Sequence, residues 1–390
     1  MLILLGIGVL VWLVDPNGFK PTIEARVKEA TGRDFRLTGD IELEFFPWLA
    51  VRTGAGSFGN APGFGPDPMA TWQSAQLGAR LFPLIHGELE IDRVKLNGAV
   101  VRLVRHADGK ANWQGIGSPA VNSGAPAAKS RYVTIDGVDF ADSRLVYVDE
   151  AAARRIEIEA LNLTTGAIVP DQPFTDTDIR GLLHMDGFAA AGVPFRLTVP
   201  RAELSKDYSS FDLKSFSVKF GELEGRGEIS GKLGESTLLL GNFSSNVFDA
   251  RALLAAVGIE APKTTDPKAL SRIGIETTWR FENGALGTTS KLRLDDTQIS
   301  GYINRPAGEN AVGEFGLHGD RLDLARYIPP TDPASKPFVL PTAELRALKF
   351  RGMLQLEEAT LDDMEMKGVT LWLLLDERGL RSQGEGPEKS

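Results

Sequence analysis

No cysteine occurs in the sequence, which removes disulfides, thiolate nucleophiles and thiolate metal ligands together. An oxidising compartment is compatible with this and is not demanded by it. Histidine is scarce as well. His86, His106, His184 and His318 share no spacing that would put two on one face of one element, and none sits in a metal-binding motif. Basic blocks are also missing. The formal net charge is −9, carried by acids scattered between apolar residues, so nothing would neutralise a phosphate backbone and nucleic-acid binding is not expected. No glycine-rich loop joins a strand to a helix, and no nucleophile elbow occurs. Asp295–Asp296 is a carboxylate doublet, but adjacent strand residues point to opposite faces and cannot share a proton. No catalytic residue, metal or cofactor is expected, and the chain reads as a non-enzyme.

What the sequence does have is alternation. In the stretch from Leu77 to Trp113, Leu89 and Ile91 alternate with Glu88, Glu90 and Asp92, which puts the apolar pair on one face of a strand. The phase then slips by one residue near Asp92–Arg93, and Val94 and Leu96 carry the apolar face on, as a bulge or corner would allow. Asn97–Gly98 and Asp108–Gly109 read as tight turns on either side of a strand holding Val101 and Leu103. The same pattern returns 44 residues later in Val133, Ile135, Val138, Phe140, Leu145 and Tyr147, slip included, with Asp136 matching Asp92. A weaker echo follows at Met364, Met366, Val369, Leu371 and Leu373. Repetition of one supersecondary unit predicts a mainly β protein, an elongated antiparallel sheet grown by addition.

Interruptions are few. Residues 1–14, MLILLGIGVLVWLV, are wholly apolar and would reach about 21 Å as a helix against roughly 30 Å of hydrocarbon, so they are expected to be part of a membrane anchor. Pro21 to Ala30 reads as a short helix with Ile23, Val27 and Ala30 on one face and Gly32 ending it. Gly115 to Ser130 is a Gly/Ala/Ser/Pro linker. Gly221, Gly225, Gly227 and Gly231 read as turns or bulges. Asp249 to Val257 is a second helix, and Asp266–Pro267 caps a third running through Leu270 to Ile273. These helices are too short to cover the apolar strand faces. Either two sheets close on each other as sandwiches, or the apolar face curls into a trough that holds something apolar from outside the chain.

The order of these segments is similar to the AsmA family. The resemblance runs through the apolar start, FFPWLAVRTGAGSFGN (residues 45–60), LFPLIHGELEIDRVKLNGAVVRLVRHADGKANW (81–113), FDARALLAAVGIEAP (248–262), LDDTQISGY (294–302) and LHGDRLDLARYIPP (317–330). It implies a curled, taco-like groove with an N-terminal membrane helix and a few short helices. Laid over it, the chain divides into a partial anchor (1–14), a helix with the first β ribbons (15–114), a linker (115–130), a β-rich groove segment (131–248), an AsmA-like β segment with short helices (249–380) and a polar tail (381–390). Family members usually open with a complete transmembrane helix and continue past the last strands here, so segments are expected to be missing at both ends.

The resemblance further implies a bacterial inner-membrane protein whose body lies in the periplasm, with phospholipid acyl chains as partners and a role in outer-membrane biogenesis. Leu89, Ile91, Val101, Leu103, Val133, Ile135, Leu145 and Tyr147 would then line the lipid groove, with Arg102 and Arg144 turned to solvent. The alternative it leaves is a scaffold regulating protein targeting to, and assembly in, the outer membrane through envelope assembly proteins. If residues 1–14 anchor the chain, the native protein should stay with membranes through a carbonate wash and lose that association when they are deleted; full-length protein in the soluble fraction would refute the expectation.

Overall fold

The computed structural model describes residues 15–45, 48–80, 90–114, 134–169, 172–186, 191–205, 209–234, 236–308, 311–328, 349–361, 364–376 and 379–383. The expected anchor and the linker at 115–130 lie outside them. Among the described residues no helix is long and apolar enough to cross a membrane. The chain forms two compact units, Met1–Asp186 and Gly187–Ser390, so the division falls inside the stretch expected to be one groove segment.

The first unit opens with helix α1 (Lys20–Thr31), which Pro21 helps to start and Gly32 ends at φ 70, its N–H returning to Lys28 O. Glu24 ties the helix to the sheet by accepting from the Leu37 N–H at 2.8 Å. Ile23 and Val27 are half-buried, whereas Ala30, expected beside them, is exposed. The strands are β1 (Phe35–Leu37), β2 (Ile41–Phe45), β3 (Trp48–Thr53), β4 (Gly56–Phe58), β5 (Ala70–Trp72), β6 (Ser74–Arg80), β7 (Glu90–Ile91), β8 (Val94–Asn97), β9 (Val100–Arg105), β10 (Thr134–Ile135), β11 (Val138–Asp149), β12 (Arg154–Thr164) and β13 (Phe174–Met185).

Strand β11 is the hub. Its first half pairs with β8 and its second half with β9, and two ribbons, β2–β3–β6–β8 and β1–β4–β5–β9, meet it end to end. On its other side follow β12 and β13. The pairing with β8 and β9 is parallel, as is that of β7 with β10, which corrects the expectation of a wholly antiparallel sheet. The reason is the repeat itself. Ile135 pairs with Ile91, Val138 with Val94, Leu145 with Val101 and Tyr147 with Leu103, so the 44-residue recurrence is two copies lying side by side in register. Parallel neighbours need a crossover of about a dozen residues or more, and residues 106–133 supply it.

The phase slips are shared between neighbours. At the first, the Asp136 N–H donates to Ile91 O at 3.0 Å and the Val94 N–H to Gly137 O at 2.9 Å, so both copies shift together. At the second, Asn97–Gly98 is not a hairpin turn, because β8 and β9 pair with β11 and not with each other. Gly98 (φ 60) and Asp142 (φ 47) mark a bend that neighbouring segments repeat at Gly39, Gly54 and Gln73. A Cβ on Gly54 would stand 2.8 Å from the Gly39 Cα, so the two chains cross the bend in contact. Asp108–Gly109 is a true turn, with the His106 N–H donating to Lys110 O at 2.8 Å. Residues 106–114 fold back on β9, where buried Asn112 donates to Arg102 O at 2.8 Å and accepts from the Val104 N–H at 3.0 Å.

The second unit comprises β14 (Val193–Leu204), β15 (Ser210–Phe220), β16 (Leu223–Lys232), β17 (Leu238–Ser245), helix α2 (Ala250–Ala256), β18 (Ile273–Glu282), β19 (Ala285–Leu294), β20 (Thr297–Arg305), β21 (Val312–Asp323), β22 (Lys349–Leu361), β23 (Met364–Asp376) and β24 (Gly379–Gln383). Each strand pairs with the next, all antiparallel except β21 with β22. Strand β24 takes up the first residues expected in the polar tail. Met364, Met366, Val369, Leu371 and Leu373 fall in one strand, β23, with a slip at Gly368 (φ 64).

Helix α2 is capped by Asp249, which accepts from the Arg251 and Ala252 N–H groups. The third expected helix does not form. Asp295, 1% exposed, accepts from the N–H groups of Leu270, Ser271 and Arg272 at 2.8–3.0 Å and from the Tyr327 hydroxyl at 2.8 Å. These bonds take the amides a helix would use and turn the chain through Leu270 at φ 68. Asp295–Asp296 is the two-residue turn between β19 and β20, which corrects the expectation that the doublet lies in a strand. Burial and the Asp295 hydrogen bond both raise the Tyr327 pKa. Asp295→Ala would strand several buried donors, each costing about 1–3 kcal/mol, so urea unfolding should show a loss of at least about 3 kcal/mol, against about 1 kcal/mol for Tyr327→Phe. Equal losses from the two variants would contradict this account.

Candidate functional site

The registers sort each unit into one apolar and one charged face. In the first unit, Val101, Leu145, Ile158 and Leu183 form one row across β9, β11, β12 and β13, and Leu103, Tyr147, Ile156 and Met185 form the next. Past the bend, Leu96, Phe140, Leu163 and Ile179 make a third row on β8, β11, β12 and β13. Ile179, Leu183 and Met185 share a parity in unbroken β13, so all three rows lie on one face. The extra residues at Asp142 and Ala160, both at φ 47, keep β11 and β12 in step. Every member of these rows is half-buried, as expected where neighbours flank a side chain and, among the described residues, no second layer covers it.

The other face carries charge. Arg144 bonds Glu157 and lies 3.6 Å from Glu159, and Arg155 donates to Glu157 at 2.9 Å. Burial alone would raise the Glu157 pKa; the hydrogen bonds from Arg155 and Arg144, with both positive charges behind them, outweigh it and hold the carboxyl below the usual range. The described histidines meet single carboxylates. His106 bonds Glu150 at 2.8 Å, which raises its pKa, while His184 lies 3.4 Å from Glu159 and His318 3.2 Å from Glu357. Among the described residues no group of three or more acids and histidines could hold a metal ion.

Of the residues expected to line a groove, the structure brings Val101, Leu103, Leu145 and Tyr147 into adjacent rows and pairs Ile91 with Ile135. Tyr147 is partly engaged, its ring 6.0 Å from Trp113 and its hydroxyl donating to Asp149 at 3.2 Å. Leu89 and Val133 lie outside the described residues. Arg102 and Arg144 fall on the charged face, one residue out of phase.

The candidate residues read from the sequence all lie in the first unit, and sequence reasoning missed that the second unit carries an apolar face of its own. Its apolar face runs through Val218, Phe216, Phe243, Trp279, Ile303, Phe315, Leu354 and Leu373, while Lys219, Glu224, Glu228, Arg280 and Arg351 alternate with them. Thr277, Thr288 and Ser290 interrupt it, and the Ser290 hydroxyl donates to Thr277 at 2.8 Å. Among the described aromatic residues only Phe248 is buried. Gly225, Gly227 and Gly231 are neither turns nor bulges. They sit inside β16 on the apolar face, beside rings of β15 and β17. The signal was present in LEGRGEISGK, where glycine replaces the apolar residue while the charged phase continues.

The AsmA family model matches residues 1–244. Protein AsmA of Escherichia coli (strain K12) is 27% identical over 147 residues, which is 37% of this chain and 24% of that protein. The matched stretch thus spans about a quarter of that relative. No solved structure matches.

A depressed Glu157 pKa gives a stability present above the ordinary glutamate range and lost as pH falls through the lower folded value. Glu157→Gln should therefore lower stability by about 1 kcal/mol at neutral pH, discounted for the half-exposed arginines, and the gap should narrow as pH falls below the ordinary glutamate range. Thermal melts from pH 7 to pH 3 check it; a gap constant with pH would contradict it.

Proposed function

The chain belongs to the AsmA family, and from that premise we propose that it is a non-enzymatic envelope protein that binds or conducts phospholipid acyl chains along its apolar sheet faces. The observation that carries this reading is the half-buried apolar rows of the first unit and the largely apolar face of the second, each backed by a charged face and covered by no second layer among the described residues. Soluble proteins rarely leave so much contiguous apolar surface without an occupant. An acyl chain is the fitting one: it is long, unbranched and apolar, and each buried methylene stabilises by roughly 0.8 kcal/mol. The charged face keeps the other side of the sheet in water. Family membership supports a role in the bacterial envelope. The apolar residues 1–14 support anchoring in the inner membrane with the body in the periplasm, and transfer between inner and outer membrane would contribute to outer-membrane biogenesis.

A second reading, a scaffold for outer-membrane protein assembly, has one observation in its favour. Tyr302 and Trp372 are 46% and 49% exposed on the charged face of the second unit, in line with Gly316 and Met353 between them, and aromatic residues there suit a protein partner. It predicts co-purification with envelope assembly proteins and no bound lipid.

Site-specific photo-crosslinking in cells separates the two. A crosslinker at Leu103 or Leu145 should give lipid adducts, and one at Arg102 or Arg144 should not. Leu103→Asp should impair binding of fluorescent phospholipid by delipidated protein far more than Arg102→Asp, because an unpaired charge among acyl chains costs several kcal/mol. Equal labelling on both faces, or protein adducts alone at Leu103 and Leu145, would overturn the lipid reading.

A further inference from the structure

Glycine recurs on the apolar face of the second unit next to aromatic rings. A methyl group at Gly241 would fall within the ring of Trp279, its partner on β18, with the Trp279 Cε2 at 2.6 Å. One at Gly225 would meet the Phe243 ring, and one at Gly313 the Phe350 ring. Gly227 lies between Phe216 and Phe243, whose rings are 6.5 Å apart and inclined by 15°. Gly352 pairs with Phe315, whose Cγ would stand 2.7 Å from an added Cβ. None of these five glycines has a positive φ; at Gly227 and Gly352 a backbone carbonyl, of Asn242 and of Phe315, stands closer to the added Cβ than any ring atom does, whereas at Gly225, Gly241 and Gly313 the ring is the nearest group. What they share is a ring from the neighbouring strand lying down over the glycine.

Rings in this posture make a floor. A side chain beneath any of them would tilt the ring away from the sheet and raise a ridge across the apolar face. We propose that these glycines are specificity-determining positions of the lipid path: by letting Trp279, Phe243, Phe350 and Phe315 lie flat, they keep the face smooth and shallow for unbranched acyl chains. This rests on the lipid reading of the face. A purely structural role, rings covering glycines to stabilise the ladder, would make the same contacts without affecting what the face binds.

The test uses the full chain, delipidated, and a phosphatidylcholine carrying a pyrene-labelled acyl chain. Gly241→Ala should weaken binding about tenfold, and Gly241→Ala/Trp279→Ala should recover most of that loss, since the ring that forms the ridge is gone. Trp279 emission, isolated by difference against Trp279→Phe, should shift to the red in Gly241→Ala without lipid. Gly287→Ala, on the charged face with only the Asn304 side chain nearby at 3.1 Å, should bind as the wild type does. If Gly241→Ala does not fold, Gly225→Ala with Gly225→Ala/Phe243→Ala gives the same comparison on β16 and β17. Wild-type binding with unchanged affinity in the glycine variants, or a double variant weaker than the single, overturns the floor alone. No binding by folded wild type overturns the lipid reading and the floor with it.

Discussion

The structure depends on phase. A sheet with one wet and one apolar face tolerates no strand that runs a residue out of step, because the slip would turn a whole row of apolar side chains into water and a row of charges onto the apolar side. The first unit meets this constraint by slipping collectively. When the chain gains a residue at Asp92–Arg93, its parallel neighbour gains one at Asp136–Gly137. When it bends at Gly98, the segments beside it bend at Gly39, Gly54, Gln73 and Asp142. Curvature is thereby introduced while the apolar rows stay unbroken across strands.

Much of this was legible in the sequence, because period-two alternation is a direct image of a half-covered strand. The 44-residue recurrence was visible as pattern, and its slip was visible too. That the copies lie side by side in parallel was not, since alternation is the same for either strand direction. The pairs Asn97–Gly98 and Asp266–Pro267 misled for a common reason. Both are local turn or cap signals overridden by a distant partner: the β11 backbone in one case, and the Asp295 carboxylate in the other. A buried acid collecting three amides from a segment some 25 residues earlier leaves no periodic trace. The glycines of β16 were misread because glycine in a strand usually marks a bulge, and only the ring on the next strand explains them.

The two faces divide the work of stability. On the charged face, Arg144 and Arg155 converge on Glu157, and Lys219 with Glu224 and Arg351 with Glu314 join adjacent strands. Exposed pairs of this kind contribute little each, and what they secure is alignment. Among the described residues no second layer opposes the apolar face of either unit, and in the second unit a closed cluster forms beside the Asp295 turn. There Leu322, Leu356 and Ala359 are buried beneath Leu324 and Tyr327, beside the turn that Asp295 holds.

The reciprocal arrangement on β21 and β22 has a consequence for assembly. Gly313 faces Phe350, and two residues on, Phe315 faces Gly352. Parallel strands joined by the long connection of residues 324–348 have no tight turn to fix their alignment. Sliding β22 by two residues one way would set ring against ring, and the other way glycine against glycine, leaving a gap. The pair therefore works as a lock and its key cut into a single ladder. It disfavours both two-residue shifts that hydrogen bonding alone would accept.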